Sequence, residues 1–267
     1  RAAAIATGVK MANPELSVWV GTGDGDSMAI GGNHFIHAIR RNINLNILLF
    51  NNKIYGLTKG QYSPTSDKGF VSKSSPYGTV EEPFRPAELC FGARGNFFAR
   101  AIDVDMKNTV EMLVAAEQHK GTSVVEVLQN CVIFNNGIHE KITDREWRAD
   151  KTILLKHGEK MIFGENNDKG LVLDGWNLKA VTIGQDGYTI DDILVHDATT
   201  KDNTLHLKLA LMCIEEGLPV AIGVIRSVES PSYEEEYMNQ IAEVQKRKPK
   251  KSFTEFLLAS ANVWEMK

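Results

Sequence analysis

The stretch from Ser17 to Asn52 constrains the fold more than any other part of the chain. A short apolar run, Ser17-Val-Trp-Val20, ends in the turn Gly21-Thr-Gly-Asp-Gly-Asp26. Residues 27–41 follow with Met28, Phe35 and Ile39 near helical spacing. A second apolar run, Asn46-Ile-Leu-Leu-Phe50, then ends at Asn51-Asn52. Strand, helix and strand in so short a span predict a right-handed βαβ unit with both strand ends on one rim. Gly31-Gly32 falls inside the expected helix, where each glycine costs roughly 1 kcal/mol, so close approach of a backbone or ligand is expected there.

The rest of the chain repeats the alternation. Residues 2–11 read as a helix stopped at Asn13-Pro14. Residues 59–85, rich in Ser, Pro, Gly and Lys, read as a long functional loop. A short helix is expected at 87–94 and a strand from Asn96 to Asp103. A helix capped by Asn108, with Glu111 three residues on and Gly121 past its end, precedes a strand from Val124 to Leu128. This pattern predicts an α/β fold, a parallel sheet with helices on both faces, over residues 1–137. After Gly137 the chain turns polar, with short strands expected at 152–155, 171–173 and 179–183. A helix at 203–216 closed by Gly217, a buried strand at 219–225 and a charged helix at 233–247 complete it. Residues 138–267 read as a C-terminal extension packing on the same domain.

The length of 267 residues suits one large domain with such an extension, and 43% hydrophobic residues supply a core. A net charge of −4 argues against nucleic acid or a membrane surface as partner. No apolar run approaches the roughly 18 residues of a membrane span. The cysteines, Cys90, Cys131 and Cys213, form no CxxC pair, which points to a reducing cytoplasm. The chain opens on Arg1 with an Ala-rich helix already under way, so a natural N-terminus upstream is expected.

The chemistry concentrates in Gly23-Asp-Gly-Asp26. Glycines at a strand-to-helix turn let the backbone approach a phosphate. Asp24 would repel a bare diphosphate, and a divalent cation between them removes the conflict. Mg2+ takes hard oxygen ligands and is commonly shared between a carboxylate and phosphates. Asn52, at the tip of the next strand, can offer a neutral carbonyl oxygen to the same ion, and the backbone carbonyl of Ile54 a third. Two other patterns compete. Gly21-x-Gly23-x-Gly25 hints at a dinucleotide fingerprint, but Asp26 stands where its third glycine belongs. Asp24-x-Asp26 hints at a calcium loop, whose later ligands are missing.

The pattern Gly-Asp-Gly…Asn-Asn resembles the thiamine diphosphate motif. Gly23-Asp-Gly-Asp26, Ile30-Gly-Gly-Asn-His-Phe-Ile-His-Ala38, Asn51-Asn-Lys-Ile-Tyr-Gly-Leu-Thr-Lys-Gly-Gln61 and Ser63-Pro-Thr-Ser66 together resemble the β subunit of 2-oxoacid:ferredoxin oxidoreductases, most closely the 2-oxoglutarate type. The likeness covers residues 1–137 well and the remainder more loosely, as at Ile193-Leu-Val-His-Asp197. It implies that Asp24, Asn52 and the Ile54 carbonyl bind Mg2+, and that Gly25, Asp26, Gly56 and Leu57 touch the diphosphate. Arg1 would end a His-Gly-Arg segment. Taken alone, Cys131 after a buried strand reads as a small hydrophobe. The resemblance implies instead the last ligand of a [4Fe-4S] cluster, within Glu126-Val-Leu-Gln-Asn-Cys-Val-Ile-Phe-Asn135. The family's three other thiolates have no counterpart here, so the chain is either a fragment or has lost the cluster, and the mid-helix start favours a fragment. Cys90 and Cys213 read as structural.

The resemblance further implies CoA-dependent oxidative decarboxylation of a 2-oxoacid, with electrons passed to ferredoxin. An α subunit would form a heterodimer with this chain and supply the glutamate that activates the cofactor. His34 and His37 read as packed or solvated. Lys59 and Gln61 are equally placed to meet a substrate carboxylate or solvent. The basic run Lys246–Lys251 reads as a solvated face, with docking of an acidic ferredoxin as the alternative. The rival functions are a non-oxidative thiamine-dependent decarboxylase or synthase, and a truncated, non-catalytic cofactor-binding module.

Overall fold

The computed structural model describes residues 1–247, 251–259 and 264. Helix α1 (Ala2–Ala12) leads into strand β1 (Trp19–Gly23), which runs three residues further than its apolar letters suggest. Gly21, Thr22 and Gly23 continue the parallel ladder with Leu48, Leu49 and Phe50, because the ladder is made by backbone groups that the side-chain pattern does not report. The expected single helix over 27–41 is two helices, α2 (Asp24–Met28) and α3 (Gly32–Arg41). Gly31 causes the break. Its N–H donates to the Asp26 carbonyl at 2.9 Å, and a Cβ there would lie 2.3 Å from that same oxygen. The backbone approach anticipated for Gly31-Gly32 is therefore real at Gly31 and absent at Gly32, which has open space.

Strand β2 (Asn46–Asn51) is followed by the long loop. Then come α4 (Pro86–Gly92), β3 (Phe97–Ile102), α5 (Met106–Gln118) and β4 (Ser123–Leu128). The cap of α5 is Asp105 rather than Asn108. The Asp105 carboxylate accepts from the Asn108 N–H and from Asn108 Nδ2, so Asn108 is the third helical residue and answers the cap instead of forming it.

Two short helices, α6 (Glu140–Thr143) and α7 (Arg145–Lys151), precede β5 (Thr152–Leu155). Strands β6 (Ile162–Phe163), β7 (Lys169–Asp174) and β8 (Asn177–Thr182) form a separate antiparallel sheet. Helix α8 (Thr204–Leu211) is shorter than expected. A 3-10 turn, Ile214–Glu216, follows it and closes at Gly217 with φ 75°. Strand β9 (Val220–Ser227), α9 (Tyr233–Arg247) and α10 (Phe253–Leu258) end the described chain. Of the basic run, Lys246, Arg247 and Lys251 are described, and residues 248–250 lie outside the described residues.

The main sheet has the order β1-β2-β4-β3-β9-β5. The first four strands are parallel, but β9 is antiparallel to β3, and β5 is parallel to β9. The sheet is thus mixed, as large sheets commonly are when later strands join an edge. One face carries Val20, Ile47, Leu49, Val124 and Phe98 and packs on α1, α3, α4 and α8. The other carries Phe97, Ala99, Val125 and Val127 and packs on Met112 and Ala116 of α5. Among the described residues no helix is long and apolar enough to cross a membrane.

Candidate metal and cofactor site

The parallel pairing of β1 with β2 sets the site. Gly23 pairs with Phe50, so Asp24, just past β1, and Asn51-Asn52, the last residue of β2 and the one beyond it, lie side by side at the C-terminal rim of the sheet. This is the rim where open α/β sheets bind ligands. Asp24 is 1% exposed. Burial pushes its carboxyl above the usual carboxylate range, against hydrogen bonds from Ser63 and Thr65 that pull it down. Both hydroxyls lie 2.5 Å from one carboxylate oxygen, Oδ2, leaving Oδ1 to face Asn52.

The Asn52 amide has two orientations with different chemistry. In one, Nδ2 donates to Gln129 Oε1 at 3.3 Å, and Oδ1 points inward, 3.3 Å from Asp24 Oδ1 and 2.9 Å from the Ile54 carbonyl oxygen. Rotated by 180°, Nδ2 donates to those two oxygens instead. The first orientation gathers a carboxylate, an amide and a backbone carbonyl oxygen. Octahedral Mg2+ with bonds of 2.0–2.1 Å holds neighbouring oxygens about 2.9 Å apart. The donor set is hard and carries one negative charge, and the Asn52–Ile54 pair has that spacing while the Asp24–Asn52 pair stands slightly wider at 3.3 Å, so the residues present fit a magnesium ion.

The surrounding loops brace the ligands. Lys53, at φ 54°, turns the chain between Asn52 and Ile54, and its carbonyl accepts from Ser66 Oγ at 2.7 Å. Asn135 Nδ2 donates to the Asn52 carbonyl at 2.9 Å, and the Asn135 N–H donates to the Cys131 carbonyl. The segment carrying Cys131 is therefore fastened to the tip that carries Asn52. Gly25 backs onto Tyr55, whose hydroxyl donates to the Gly25 carbonyl at 3.0 Å. A Cβ at Gly25 would lie 2.2 Å from the Tyr55 ring, so only glycine allows this contact. Asp26 is exposed, Gly56 half-buried, and the Leu57 side chain 98% exposed.

Thus Asp24, Asn52 and Ile54 come together, with Gly25 and Gly56 on either side of Tyr55. Lys59 and Gln61 are exposed, as is His37, while His34 is half-buried. Cys90 is fully buried in α4, and Cys131 and Cys213 are half-buried. Among the described residues, no group of three or more His, Cys, Asp and Glu side chains is placed to hold a metal. The sequence assigns Ser63 and Thr65 no role of their own, although Ser63-Pro-Thr-Ser66 is among the segments that carry the family resemblance and sits in the loop whose length marks it as functional.

Comparison with known proteins gives the family and the fold. Residues 1–127 match the family model "Thiamine pyrophosphate enzyme, C-terminal TPP binding domain". The chain is 44% identical over 249 residues to the 2-oxoglutarate oxidoreductase subunit KorB of Mycobacterium tuberculosis, covering 93% of this chain and 66% of that protein. It is 50% identical over 131 residues to the 2-oxoglutarate synthase subunit KorB of Archaeoglobus fulgidus, covering 49% of each. The chain thus spans two thirds or less of the length of these relatives. Among solved structures it resembles the 2-oxoglutarate:ferredoxin oxidoreductase from Magnetococcus marinus with 2-oxoglutarate, coenzyme A and succinyl-CoA bound. That match has a TM-score of 0.69 and 26% identity, over 98% of this chain and 74% of the other. From the strand-tip geometry, the sequence relatives and the shared fold, the chain belongs to the β subunits of the 2-oxoacid:ferredoxin oxidoreductases.

Proposed function

We propose that this chain anchors thiamine diphosphate through Mg2+ in an oxidoreductase that decarboxylates a 2-oxoacid, forms the coenzyme A thioester and passes electrons to ferredoxin. The substrate class favoured is 2-oxoglutarate, which the names of the relatives specify for those proteins. The observation that carries this reading is the meeting of Asp24 Oδ1, the Asn52 amide and the Ile54 carbonyl at two neighbouring strand tips.

In this reading Asp24, Asn52 and the Ile54 carbonyl hold the ion. Gly25, Asp26, Gly56 and Leu57 lie along the diphosphate. Asp26 and Leu57 contribute backbone, since one side chain is an exposed carboxylate and the other projects into solvent. Bound thiamine diphosphate supplies the nucleophilic carbon and the electron sink for decarboxylation. The task of this chain is to fix that group in place. Ser63 and Thr65 lock the Asp24 carboxylate, and Tyr55 fixes the Gly25 turn. The activating glutamate is assigned to an α subunit, as the resemblance to the family implies. Cys131 is assigned as one thiolate ligand of a [4Fe-4S] cluster. Such clusters take four thiolates, and the described residues gather no such set, so no electron-transfer step is derived for this chain. Residues 1–137 are read as the cofactor-binding unit, and 138–267 as an extension that completes its sheet.

The test is Asp24→Ala in the complex with the α subunit. Calorimetric titration is expected to show loss of Mg2+-dependent thiamine diphosphate binding. Binding equal to wild type would overturn the assignment.

A further inference from the structure

A buried polar ladder crosses the sheet directly beneath the candidate cation site. Arg100 on β3 pairs in register with Glu126 on β4, and Glu126 pairs with Leu49 on β2, two residues before Asn51. The three polar side chains therefore share one face. Arg100 Nε donates to Glu126 Oε2 at 2.7 Å, and Asn51 Nδ2 donates to Glu126 Oε1 at 2.8 Å. The single Thr65 hydroxyl proton is shared between two acceptors, Asp24 Oδ2 at 2.5 Å and, more weakly, Asn51 Oδ1 at 3.1 Å. Exposure is 7% for Arg100, 1% for Glu126 and 4% for Asn51.

An ion pair so deep in a sheet is a poor source of stability, since apolar residues of the same volume often serve as well. Its geometry points to another use. Arg100 spends a further donor on the carbonyls of Ala210 and Ala221, which fixes the guanidinium to α8 and β9. Glu126 has one oxygen on Arg100 and the other on Asn51, so the Asn51 amide cannot rotate without losing a bond to a charged acceptor. Its oxygen then faces Thr65 and holds that hydroxyl between Asn51 and Asp24.

We propose that Glu126, held by Arg100, is a positioning residue that acts through Asn51 and Thr65 on the Asp24 carboxylate and sets its affinity for the divalent cation. The proposal rests on the reading of Asp24 as a metal ligand. Partners that orient a metal's ligands are typically worth 10–100-fold in metal affinity.

The experiment measures Mn2+ binding by electron paramagnetic resonance in the complex with the α subunit, with thiamine diphosphate present. Glu126→Gln is compared with the double variant Arg100→Met/Glu126→Leu, which removes both charges together and leaves neither unpaired. Should Glu126→Gln fail to fold, the double variant decides. The expected result is a folded double variant with Mn2+ affinity about tenfold weaker or more, whose thiamine diphosphate binding returns at excess Mn2+. A merely structural role would lower the melting temperature and leave the Mn2+ affinity at wild type, which would overturn the proposal. Asp24→Ala separates the two readings. If it abolishes Mn2+ binding while the ladder variants keep it, only the positioning role fails. If Asp24→Ala itself binds Mn2+ normally, the cation site fails and the positioning role with it.

Discussion

Ser63 Oγ lies 2.5 Å from Asp24 Oδ2, joining a loop to a strand tip 39 residues earlier in the chain. With Thr65 on the same oxygen, the carboxylate has one oxygen bound to protein hydroxyls and the other turned to Asn52. Removing either hydroxyl leaves Oδ2 with a single donor and lets the group rotate. Ser63→Ala and Thr65→Val are each expected to weaken Mg2+ binding about tenfold. Each should also cost about 1.5–3 kcal/mol of stability, as for a lost hydrogen bond to a buried charged acceptor. Calorimetric Mg2+ titration and urea unfolding check the two effects separately, and an unchanged Mg2+ affinity would contradict the clamp.

The adjacent glycines Gly31 and Gly32 give opposite expectations. A Cβ at Gly31 would meet the Asp26 carbonyl at 2.3 Å, and backbone cannot swing aside. Gly31→Ala should cost about 1–3 kcal/mol and disturb the turn that carries Gly25 and Asp26. Gly32 opens α3 with free space around it. Gly32→Ala should be neutral or stabilise by up to about 1 kcal/mol, through reduced unfolded-state entropy and better helix propensity. Denaturant midpoints of the two variants test the contrast, and equal midpoints would remove the explanation offered for the split helix.

The parts of this site that were legible in sequence are those written locally. Asp24 and Asn52 each follow an apolar strand, so their strand ends could be paired from a single βαβ unit. Ser63-Pro-Thr-Ser66 was legible as part of the family resemblance, but the contact of Ser63 and Thr65 with Asp24 was not, because it depends on where a long loop folds back. Arg100 and Glu126 did leave a signal, a charged residue inside the apolar runs Phe97-Phe-Ala-Arg-Ala-Ile102 and Val124-Val-Glu-Val-Leu128. Their partnership, however, needs the strand order, which no single segment encodes. The same limit hid the reversal of β9. Strand residues look alike in either direction, and direction is set by the path of the preceding connection.

The three thiols should differ in reactivity for reasons of burial alone. Cys90 is 0% exposed between α4 and the sheet, and burial pushes its thiol up to about 12, so almost no thiolate exists near neutral pH. Cys131 and Cys213 are half-buried. In the folded, cluster-free chain a disulfide reagent at pH 8 is expected to label Cys131 and Cys213 and to spare Cys90 until denaturant is added. Labelling of Cys90 at the rate of the other two would contradict its packing.

Acid should destabilise the fold through its buried histidines. His119, packed on Phe97, is lowered by burial to about 4, and its Nε2 is buried without a partner. His196 is also lowered by burial, with Nδ1 buried and unpartnered. His206 is lowered chiefly by burial and then by Arg226. Its Nδ1 faces the Arg226 guanidinium at 2.9 Å and must accept, while Nε2–H donates to the Asp197 carbonyl. A proton on Nδ1 would set N–H against N–H. In each case the folded value lies below the unfolded value of 6.5. Between those values the unfolded chain binds more protons, so stability is complete above about pH 6.5 and declines as the pH falls. For His119 alone the loss by pH 5 is about 2 kcal/mol. Urea midpoints at pH 7.5, 6 and 5 should fall in that order, and His119→Phe should flatten the decline. A midpoint constant over this range would show that these histidines fold with their ordinary proton affinity.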